Sequence, residues 1–296
     1  MNIRLLTRNE IDTERWNKTV DASPNGLIYA TTGYLDLMTD TWQGIVIDNY
    51  RAVMPIPSRK KWGITYVCQL PFIQQLGLIG SYEDEELTES MAVMQKAFKY
   101  GDYAFNFLNY PNASTAARNY VLGLSSDYPA IAKGYRYDHR KNLQGDSIGK
   151  LDYNQPDTVS NTIRLYQELY HHKFQHVSAR SFDNLIRFAA QTPVHAFARE
   201  ARENGELLSA ILVLKDNKRL YTVVSATTDK GKKLAANRFL IDRLIREFAG
   251  NDLLLDFEGS DLPGVAEYYE GFGAELQPYH VIKWNHLPAP IRWFKK

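Results

Sequence analysis

The segment of residues 253–274, LLLDFEGSDLPGVAEYYEGFGA, constrains the fold of this 296-residue chain more than any other. Its first five residues, 253–257, are apolar enough for a buried strand, and Gly259 ends the apolar run. Pro263 fits the first turn of a short helix, which Gly271 then stops. The segment therefore predicts a central strand joined directly to a short helix, and α/β sheets place their chemistry at such strand ends.

The stretch before it, residues 220–250, predicts another strand followed by a long amphipathic helix. The apolar face of this helix is formed by Leu234, Ile241, Leu244, Ile245 and Phe248. Gly250 ends the helix and leads into the central strand. The two segments together predict the order strand, helix, strand, short helix, with carboxylates and a tyrosine at the last junction.

Two short motifs at this junction resemble those of a known family. Ala266, Tyr269 and Gly273 have the A-x-x-Tyr-x-x-x-Gly spacing that ends GNAT-type acyltransferases, and residues 256–260 (DFEGS) are similar to the strand end of the FemAB-like branch. FemAB-like proteins are two GNAT-like domains in tandem, which suits a chain of this length. The resemblance implies an α/β (α+β) fold with two GNAT-like (acyl-CoA N-acyltransferase) domains in tandem, each a mixed, mostly antiparallel sheet flanked by helices.

The rest of the sequence predicts two such halves. The first half contains successive strand patterns and a long helix pattern at residues 83–100. The second half contains helix patterns and then a meander of three strands. The basic, tyrosine-rich stretch of residues 127–149 is typical of a connector. We therefore expect an N-terminal domain at residues 1–145 and a C-terminal domain at residues 146–296 that holds the reaction site.

Three polar side chains at the strand-to-helix junction are candidates for catalysis. A carboxylate at a strand end can lose enough hydration to raise its pKa toward neutral pH, so Glu258 is the candidate general base for an amine. Asp256 points in the same direction two residues earlier and could share this role or bind the amine. In GNAT enzymes the tyrosine at the position of Tyr269 often protonates the leaving thiolate of CoA. The alternatives are an ion pair or a helix cap for the carboxylates, and simple packing for the tyrosine.

A turn at the start of the long helix is the candidate site for the acyl donor. The pyrophosphate of acyl-CoA needs backbone N–H donors, which a helix N terminus supplies together with a favourable dipole. Where GNAT proteins carry their phosphate loop, this chain has Lys230, Gly231, Lys232, Lys233, Leu234 and Ala235. The family loop is usually richer in glycine and begins with Arg or Gln. The alternative is a solvated, charged turn.

A histidine-rich stretch contains the other candidate ligands. Glu168, His172 and His176 are spaced by four residues, so a continuous helix would place them on one face. The first and last would then lie about 12 Å apart along the helix axis, too far to share one ion. Cys68 is the single cysteine, so the chain has no internal disulfide and no cysteine-based zinc site. A two-histidine site completed by a distant ligand stays open, but solvated or acceptor-contacting histidines are the favoured interpretation, so we expect no metal.

The composition limits the classes of partner. The chain has 35 Lys and Arg against 34 Asp and Glu, and this net charge of +1 gives no overall attraction to nucleic acid or anionic membranes, although a local patch remains open. No apolar run approaches the length of a membrane span, and the charged N terminus has no hydrophobic leader region. We expect a cytoplasmic protein without membrane insertion that acts on a small-molecule or peptide amine.

The favoured function is transfer of an acyl group from acyl-CoA, with acetyl-CoA as the first choice, to an amine acceptor. A first alternative is FemAB-like aminoacyl transfer from aminoacyl-tRNA to a peptidoglycan-type precursor. FemAB-like proteins often have a degraded phosphate loop because their donor is aminoacyl-tRNA. The only dense basic cluster for such a donor is formed by Arg136, His139, Arg140 and Lys141. A second alternative is a catalytically degenerate GNAT fold that only binds a ligand or partner.

Overall fold

The computed structural model describes residues 2–146, 148–170, 177–259 and 263–289. The strands in these residues are β1 (Ile3–Thr7), β2 (Thr41–Ile47), β3 (Ala52–Lys61), β4 (Ile64–Val67), β5 (Ile79–Gly80), β6 (Tyr100–Phe105), β7 (Thr115–Ala117), β8 (Tyr120–Gly123), β9 (Asp152–Asn154), β10 (Ala196–Glu203), β11 (Glu206–Lys215), β12 (Arg219–Thr227), β13 (Leu254–Asp256), β14 (Glu275–Leu276) and β15 (Tyr279–Asn285). The helices are α1 (Thr13–Ala22), α2 (Thr32–Met38), α3 (Asp84–Ala97), α4 (Tyr128–Lys133), α5 (Tyr137–Leu143), α6 (Ser160–Tyr170), α7 (Ala179–Gln191), α8 (Asp229–Lys233), α9 (Ala236–Phe248) and α10 (Pro263–Glu270). Helices and strands are thus interspersed along the chain.

These elements form two compact units. Unit 1 is Met1–Ala117 with Pro278–Lys296, and unit 2 is Arg118–Gln277. The expected domains, residues 1–145 and 146–296, differ from these two units, because the expectation divides the chain at one place only. The structure divides it at two places, because β8 joins the sheet of unit 2 and the last strand, β15, joins the sheet of unit 1.

The sheet of unit 1 has the strand order β1-β2-β3-β4-β6-β15-β7, with β5 paired to β3. Its neighbouring strands are antiparallel, except that β4 and β6 are parallel. β15 lies between β6 and β7, with Ile282 opposite Tyr103 and Val281 opposite Thr115. A strand from the end of the sequence therefore completes the first sheet.

The sheet of unit 2 has the order β14-β8-β13-β12-β11-β10-β9. Strands β10, β11 and β12 form the antiparallel meander that the sequence predicts. β13 then pairs with β12 in parallel, because α8 and α9 carry the chain across the sheet before it returns. The core of unit 2 includes Phe239, Leu244 and Leu255. Both units are mixed, mostly antiparallel sheets flanked by helices, which confirms the predicted fold class.

The predicted connector of residues 127–149 contains two helices, α4 and α5, and belongs to unit 2. Two of its three tyrosines have packing roles, whereas Tyr137 is exposed. The hydroxyls of Tyr128 and Tyr135 lie 2.7 and 3.1 Å from the same oxygen of Asp242, on α9. Tyr135 is almost fully buried in the core of unit 2. The composition indicates a linker, but these buried hydrogen bonds attach the stretch to α9.

Candidate functional site

A cleft of about 620 Å³ opens in unit 2 where two parallel strands part. β12 and β13 pair only as far as Tyr221, which lies opposite Asp256. Beyond this pair β12 continues to Thr227, whereas β13 ends and the chain turns away through Glu258, whose φ is +63°. The gap between the diverging strands is lined by side chains of β12, of the start of α9 and of α10.

Four of the predicted site residues line this cleft: Gly231, Lys232, Ala235 and Tyr269. Phe257, which lies between the two candidate carboxylates in sequence, lines it as well. The proposed acid and the proposed donor turn, more than 30 positions apart in the sequence, therefore lie on the walls of one cavity.

The ring of Tyr269 packs into the wall of the cleft. It is stacked on Phe257 with the ring centroids 4.7 Å apart, and it is tilted against Tyr120 at 6.1 Å. Its hydroxyl makes no hydrogen bond with another residue in the described part of the chain. Burial, with a smaller contribution from the charges of Glu258 and Asp256, raises the pKa of Tyr269 to about 12. The phenol is therefore protonated at neutral pH, as a general acid must be.

Glu258 follows β13 in a left-handed backbone conformation, which is uncommon for residues other than glycine. Its carboxyl oxygen Oε1 is buried and has no hydrogen-bond partner among the described residues. Burial disfavours the charged form and raises the pKa of Glu258 to about 8. A carboxyl group with this pKa can accept and release a proton near neutral pH, which suits a general base.

Asp256 lies in a buried network. Its Oδ2 is 2.9 Å from Nη1 of Arg219 and 3.1 Å from Nδ2 of Asn119, and its Oδ1 accepts the backbone N–H of Glu258 at 3.0 Å. The side chains of Arg219 and Asp256 are only 3% and 2% exposed. The sequence left several roles open for Asp256, and these contacts correspond to the ion pair. They also position the backbone of Glu258.

The predicted phosphate-binding turn coincides with the short helix α8 and its end. The side chain of Thr228 caps α8 by accepting the N–H of Gly231 at 3.0 Å. Gly231 is packed so closely that an added Cβ would lie 2.4 Å from the carbonyl oxygen of Leu208. The glycine at this position therefore serves the packing of α8 on β11.

The lysines of this turn lie at the surface and contact acidic side chains. Nζ of Lys230 is 2.8 Å from Glu203 and 2.5 Å from Glu206. Nζ of Lys232 is 2.8 Å from Asp229. Both ammonium groups are thus paired within unit 2. Of the next two residues of the turn, Lys233 is exposed and Leu234 packs against the core.

The open helix N terminus in the cleft belongs to α9. Ala235 has a left-handed φ of +55° and provides no side-chain cap for this helix. The first bond of α9 runs from the N–H of Phe239 to the carbonyl of Ala235 at 3.0 Å, so the N–H groups of Ala236, Asn237 and Arg238 precede it. Ala235, Asn237 and Arg238 line the cleft. The end of a helix that can bind an anion therefore lies just after the predicted turn.

Arg238 is not among the predicted site residues, yet it lines the same cleft. Its guanidinium carbon is 5.6 Å from the ring centroid of Tyr268, and its Nε is buried without a hydrogen-bond partner in the described residues. A signal exists in the sequence, because Arg238 falls on the apolar stripe of the helix between Leu234 and Ile241. A charge on a buried stripe indicates a functional or structural role.

Comparison with solved structures of the same architecture identifies the fold. FemX matches over 100% of both chains with a TM-score of 0.69 and 10% identity. The C-terminal DUF2156 domain of a putative lysylphosphatidylglycerol synthetase from Agrobacterium fabrum matches over 95% of this chain and 94% of its own, with a TM-score of 0.56 and 10% identity. A tandem GNAT protein from the clavulanic acid biosynthesis pathway matches over 97% and 100%, with a TM-score of 0.53 and 9% identity. The chain has the tandem GNAT-like fold of FemAB-like proteins.

Protein-family models and curated protein sequences give no match to this chain. The likeness to solved structures, at about 10% identity, is one of fold. In this tandem GNAT-like chain, the cleft with the predicted residues lies within the second GNAT-like unit.

The basic cluster of the second GNAT-like unit is largely engaged in internal contacts. Arg136 forms an ion pair with Glu270 at 2.5 Å. His139 is buried, and burial lowers its pKa to about 4. Arg140 donates hydrogen bonds to backbone carbonyls, whereas Lys141 is exposed. The cluster therefore does not present four available cations to a nucleic acid.

Two of the histidines considered as candidate ligands, His172 and His176, lie outside the described residues, as does Ser260 at the end of the DFEGS motif. Among the residues that the structure describes, no group of three or more His, Cys, Asp or Glu side chains could hold a metal ion. Burial raises the pKa of the Cys68 thiol to about 11, so it is not a nucleophile at neutral pH. None of the helices in the described ranges is long and apolar enough to cross a membrane.

Proposed function

We propose that unit 2 transfers an acyl group from acyl-CoA to an amine, with the cleft between β12 and β13 as the donor site. The observation that carries this proposal is the meeting of three features in one cleft: the uncapped N terminus of α9, the guanidinium of Arg238 and the phenol of Tyr269. The first two suit an anionic donor and the third suits a leaving group that needs a proton. The tandem GNAT-like fold supports the same class of reaction.

The residues of the cleft fit the phosphates of acyl-CoA. The N–H groups of residues 236–238 offer hydrogen bonds and a favourable dipole, and Arg238 can add charge-assisted bonds to a phosphate. Phe257, Ile241 and Val265 provide apolar lining for the rest of the donor. The cleft volume of about 620 Å³ lies in the range of small-molecule sites. When bound, the donor would supply an acyl group already activated as a thioester.

Two residues of the chain handle protons in this proposal. Glu258 takes a proton from the acceptor ammonium, because its raised pKa makes it a stronger base than an exposed carboxylate. Tyr269 holds its proton until the leaving sulfur needs one, because its pKa is about 12. Nitrogen loses two protons on going from ammonium to amide. One is released through Glu258, and the other replaces the proton that Tyr269 gives to sulfur. Asp256 is a positioning residue, since it accepts the N–H of Glu258 and is paired with Arg219.

A second candidate is aminoacyl transfer from aminoacyl-tRNA, which the FemAB-like resemblance implies. The observation that favours it is that hydrogen-bond donors and charges of the turn around α8 are already engaged within unit 2. The N–H of Gly231 is bonded to Thr228, and the ammonium groups of Lys230 and Lys232 are paired, so this turn offers less to a pyrophosphate than a glycine-rich loop would. The third candidate, a GNAT-like unit that only binds a ligand, predicts donor binding without transfer.

Calorimetric titration of the full chain with acetyl-CoA and with aminoacyl-tRNA separates these functions. Arg238→Gln should weaken acetyl-CoA binding by about tenfold or more, because it removes a charge-assisted hydrogen bond. Arg243→Gln is the matched control, because this arginine is on the same helix but stacks on Phe239 outside the cleft. If the chain binds aminoacyl-tRNA but does not bind acetyl-CoA, the result would support the second candidate. Acetyl-CoA binding with no transfer to any amine in a panel would support the third.

A further inference from the structure

A feature of unit 1 that the proposed reaction does not use is the tip of the hairpin between β3 and β4. Trp62 is 80% exposed, the largest value among the large hydrophobic residues in the described chain. Trp62 and Gly63 join the paired residues Lys61 and Ile64, and their φ values are +53° and +78°. Two left-handed residues in a two-residue loop indicate a type I′ turn, whose first position usually holds Asn, Asp or Gly.

An indole at this position does not serve the fold. A left-handed conformation is strained for a bulky residue. Because the ring is exposed, it also contributes no hydrophobic free energy to folding. Single exposed hydrophobic residues are ordinary at protein surfaces, so Trp62 alone would carry no inference. Its setting is what distinguishes it, because basic side chains surround this tip.

Basic residues lie at the same end of the sheet as Trp62. Lys60 and Lys61 are both exposed and precede it directly, and Nζ of Lys61 lies 5.0 Å from the indole centroid. β4 and β6 run parallel, with Val67 opposite Gly101, so the exposed Lys99 just before β6 lies toward the same end. This end of unit 1 therefore combines an exposed indole with several ammonium groups.

The acidic residue closest in register to the tip is already paired. Asp40 precedes β2, whose first residue, Thr41, lies opposite Ser58 of β3. A carboxylate oxygen of Asp40 is 3.7 Å from Nε of Arg59. Lys60 and Lys61 form no salt bridge with the residues that the structure describes, so an anionic partner complements the charge of the tip.

We propose that this hairpin tip docks unit 1 on an anionic phospholipid surface. The indole of Trp62 lies at the level of the headgroups, where its apolar ring and polar N–H are both accommodated. The ammonium groups of Lys60 and Lys61 contact lipid phosphates while their alkyl stems follow the indole. RNA is the competing anionic partner, but Lys61 already lies over one face of the ring on which an unpaired base would stack. The contact is peripheral and needs no spanning helix.

Co-sedimentation of the full chain with vesicles tests this proposal. One set of vesicles is phosphatidylcholine alone and the other is equal parts phosphatidylcholine and phosphatidylglycerol. The wild type should sediment with the anionic vesicles only, and less of it should do so as salt is raised. Trp62→Asn keeps the left-handed turn because Asn tolerates positive φ, and it should lower the partition coefficient roughly tenfold. Replacing Lys60 and Lys61 together by Glu should lower it at least as much.

Tyr137→Asn is the matched control, because it removes another exposed aromatic ring, 73% accessible, in unit 2. It should bind vesicles as the wild type does, and no variant should melt at a lower temperature than the wild type. Equal binding by wild type and Trp62→Asn, equal binding to the two vesicle types, or no binding at all would overturn the proposal. Loss of bulk tRNA binding in Trp62→Asn with unchanged vesicle binding would overturn it too, and would assign the tip to RNA.

Discussion

The backbone N–H of Glu258 donates to Oδ1 of Asp256 at 3.0 Å, while Oδ2 of the same carboxylate lies 2.9 Å from Nη1 of Arg219. Arg219 begins β12 and Asp256 ends β13. A buried ion pair therefore joins the two parallel strands next to the point where they part. The same carboxylate fixes the backbone that carries the proposed base, so Asp256 organises the cleft without lining it.

Asp256→Asn should destabilise the protein strongly. The substitution keeps the size of the side chain but removes the negative charge that pairs with the buried guanidinium of Arg219, and breaking a buried ion pair in this way costs about 3–5 kcal/mol. Urea denaturation followed by circular dichroism measures this loss. Asp229→Asn removes the exposed partner of Lys232 and should leave the midpoint close to that of the wild type. Similar midpoints for the two variants would contradict the role assigned to Asp256.

Tyr269→Phe should slow acyl transfer by about 10²–10⁴-fold while leaving donor affinity and melting temperature nearly unchanged. The hydroxyl makes no hydrogen bond with the described residues, so its loss should not disturb the packing of the ring on Phe257. Tyr268→Phe is the control, because we expect it to change stability more than rate. Its hydroxyl donates to Asn237 at 2.8 Å, so its loss should cost about 1–3 kcal/mol of stability with a smaller effect on rate. A rate within twofold of wild type for Tyr269→Phe would leave this tyrosine with a packing role only.

Glu258 should make the stability of the wild type fall as pH rises from about 4.5 to about 8. Its pKa is about 8 in the folded protein against the usual 4.5, so in this interval the folded state holds a proton that the unfolded chain has released. The stabilisation is complete below the lower value and is lost as pH rises through the upper one. One group gives a slope of at most about 1.4 kcal/mol per pH unit.

Glu258→Gln removes this titration without changing the shape of the side chain. Its free energy of unfolding, relative to that of the wild type, should therefore increase across the same interval in chemical denaturation at several pH values. In a transfer assay its rate should fall, most clearly near pH 8, where Glu258 of the wild type loses its proton and can act as a base, and recover at higher pH as free amine becomes available. Stability curves that run parallel for the two proteins would show that the carboxyl group is not buried in this way.

Gly231→Ala should destabilise unit 2 by about 1–3 kcal/mol, because the new Cβ would lie 2.4 Å from the carbonyl oxygen of Leu208. Gly264→Ala adds a methyl group to another glycine of the same cleft, where no heavy atom lies within 4 Å of it. Because Gly264 is in α10, this control should be neutral or should stabilise the helix by up to about 1 kcal/mol. Equal thermal melting of the two variants would refute the close packing of α8 on β11.

Several elements could be predicted because their signals are local. Alternating or continuous apolar residues with turn residues between them predicted the meander of β10, β11 and β12, and these strands are found. The junction of residues 253–274 was predicted in the same way, and the structure has β13 and α10 there. The short motifs around Tyr269 indicated the GNAT-like fold, which the architecture confirms.

Other features depend on contacts between distant parts of the chain. Nothing in the local pattern of β15 specifies that it pairs with β6, more than 170 residues earlier, so the division into units could not be derived from composition. The break at Ala235 is equally hidden, because alanine normally favours a continuous helix. The break moves the open helix N terminus to Ala236 and brings Arg238 into the cleft.

The sequence by itself determined the strand and the helix of the junction and the acidic and phenolic side chains they carry, because residue types, apolar periodicity and turn residues act over a few positions. The tertiary structure alone decided what each of them contacts. Asp256 and Glu258 are two residues apart and equally acidic, yet one is paired with Arg219 and the other has a buried oxygen with no hydrogen-bond partner among the described residues. Burial and the distance to a counter-ion set the pKa of a carboxyl group, and both depend on how strands and helices from distant parts of the chain pack together.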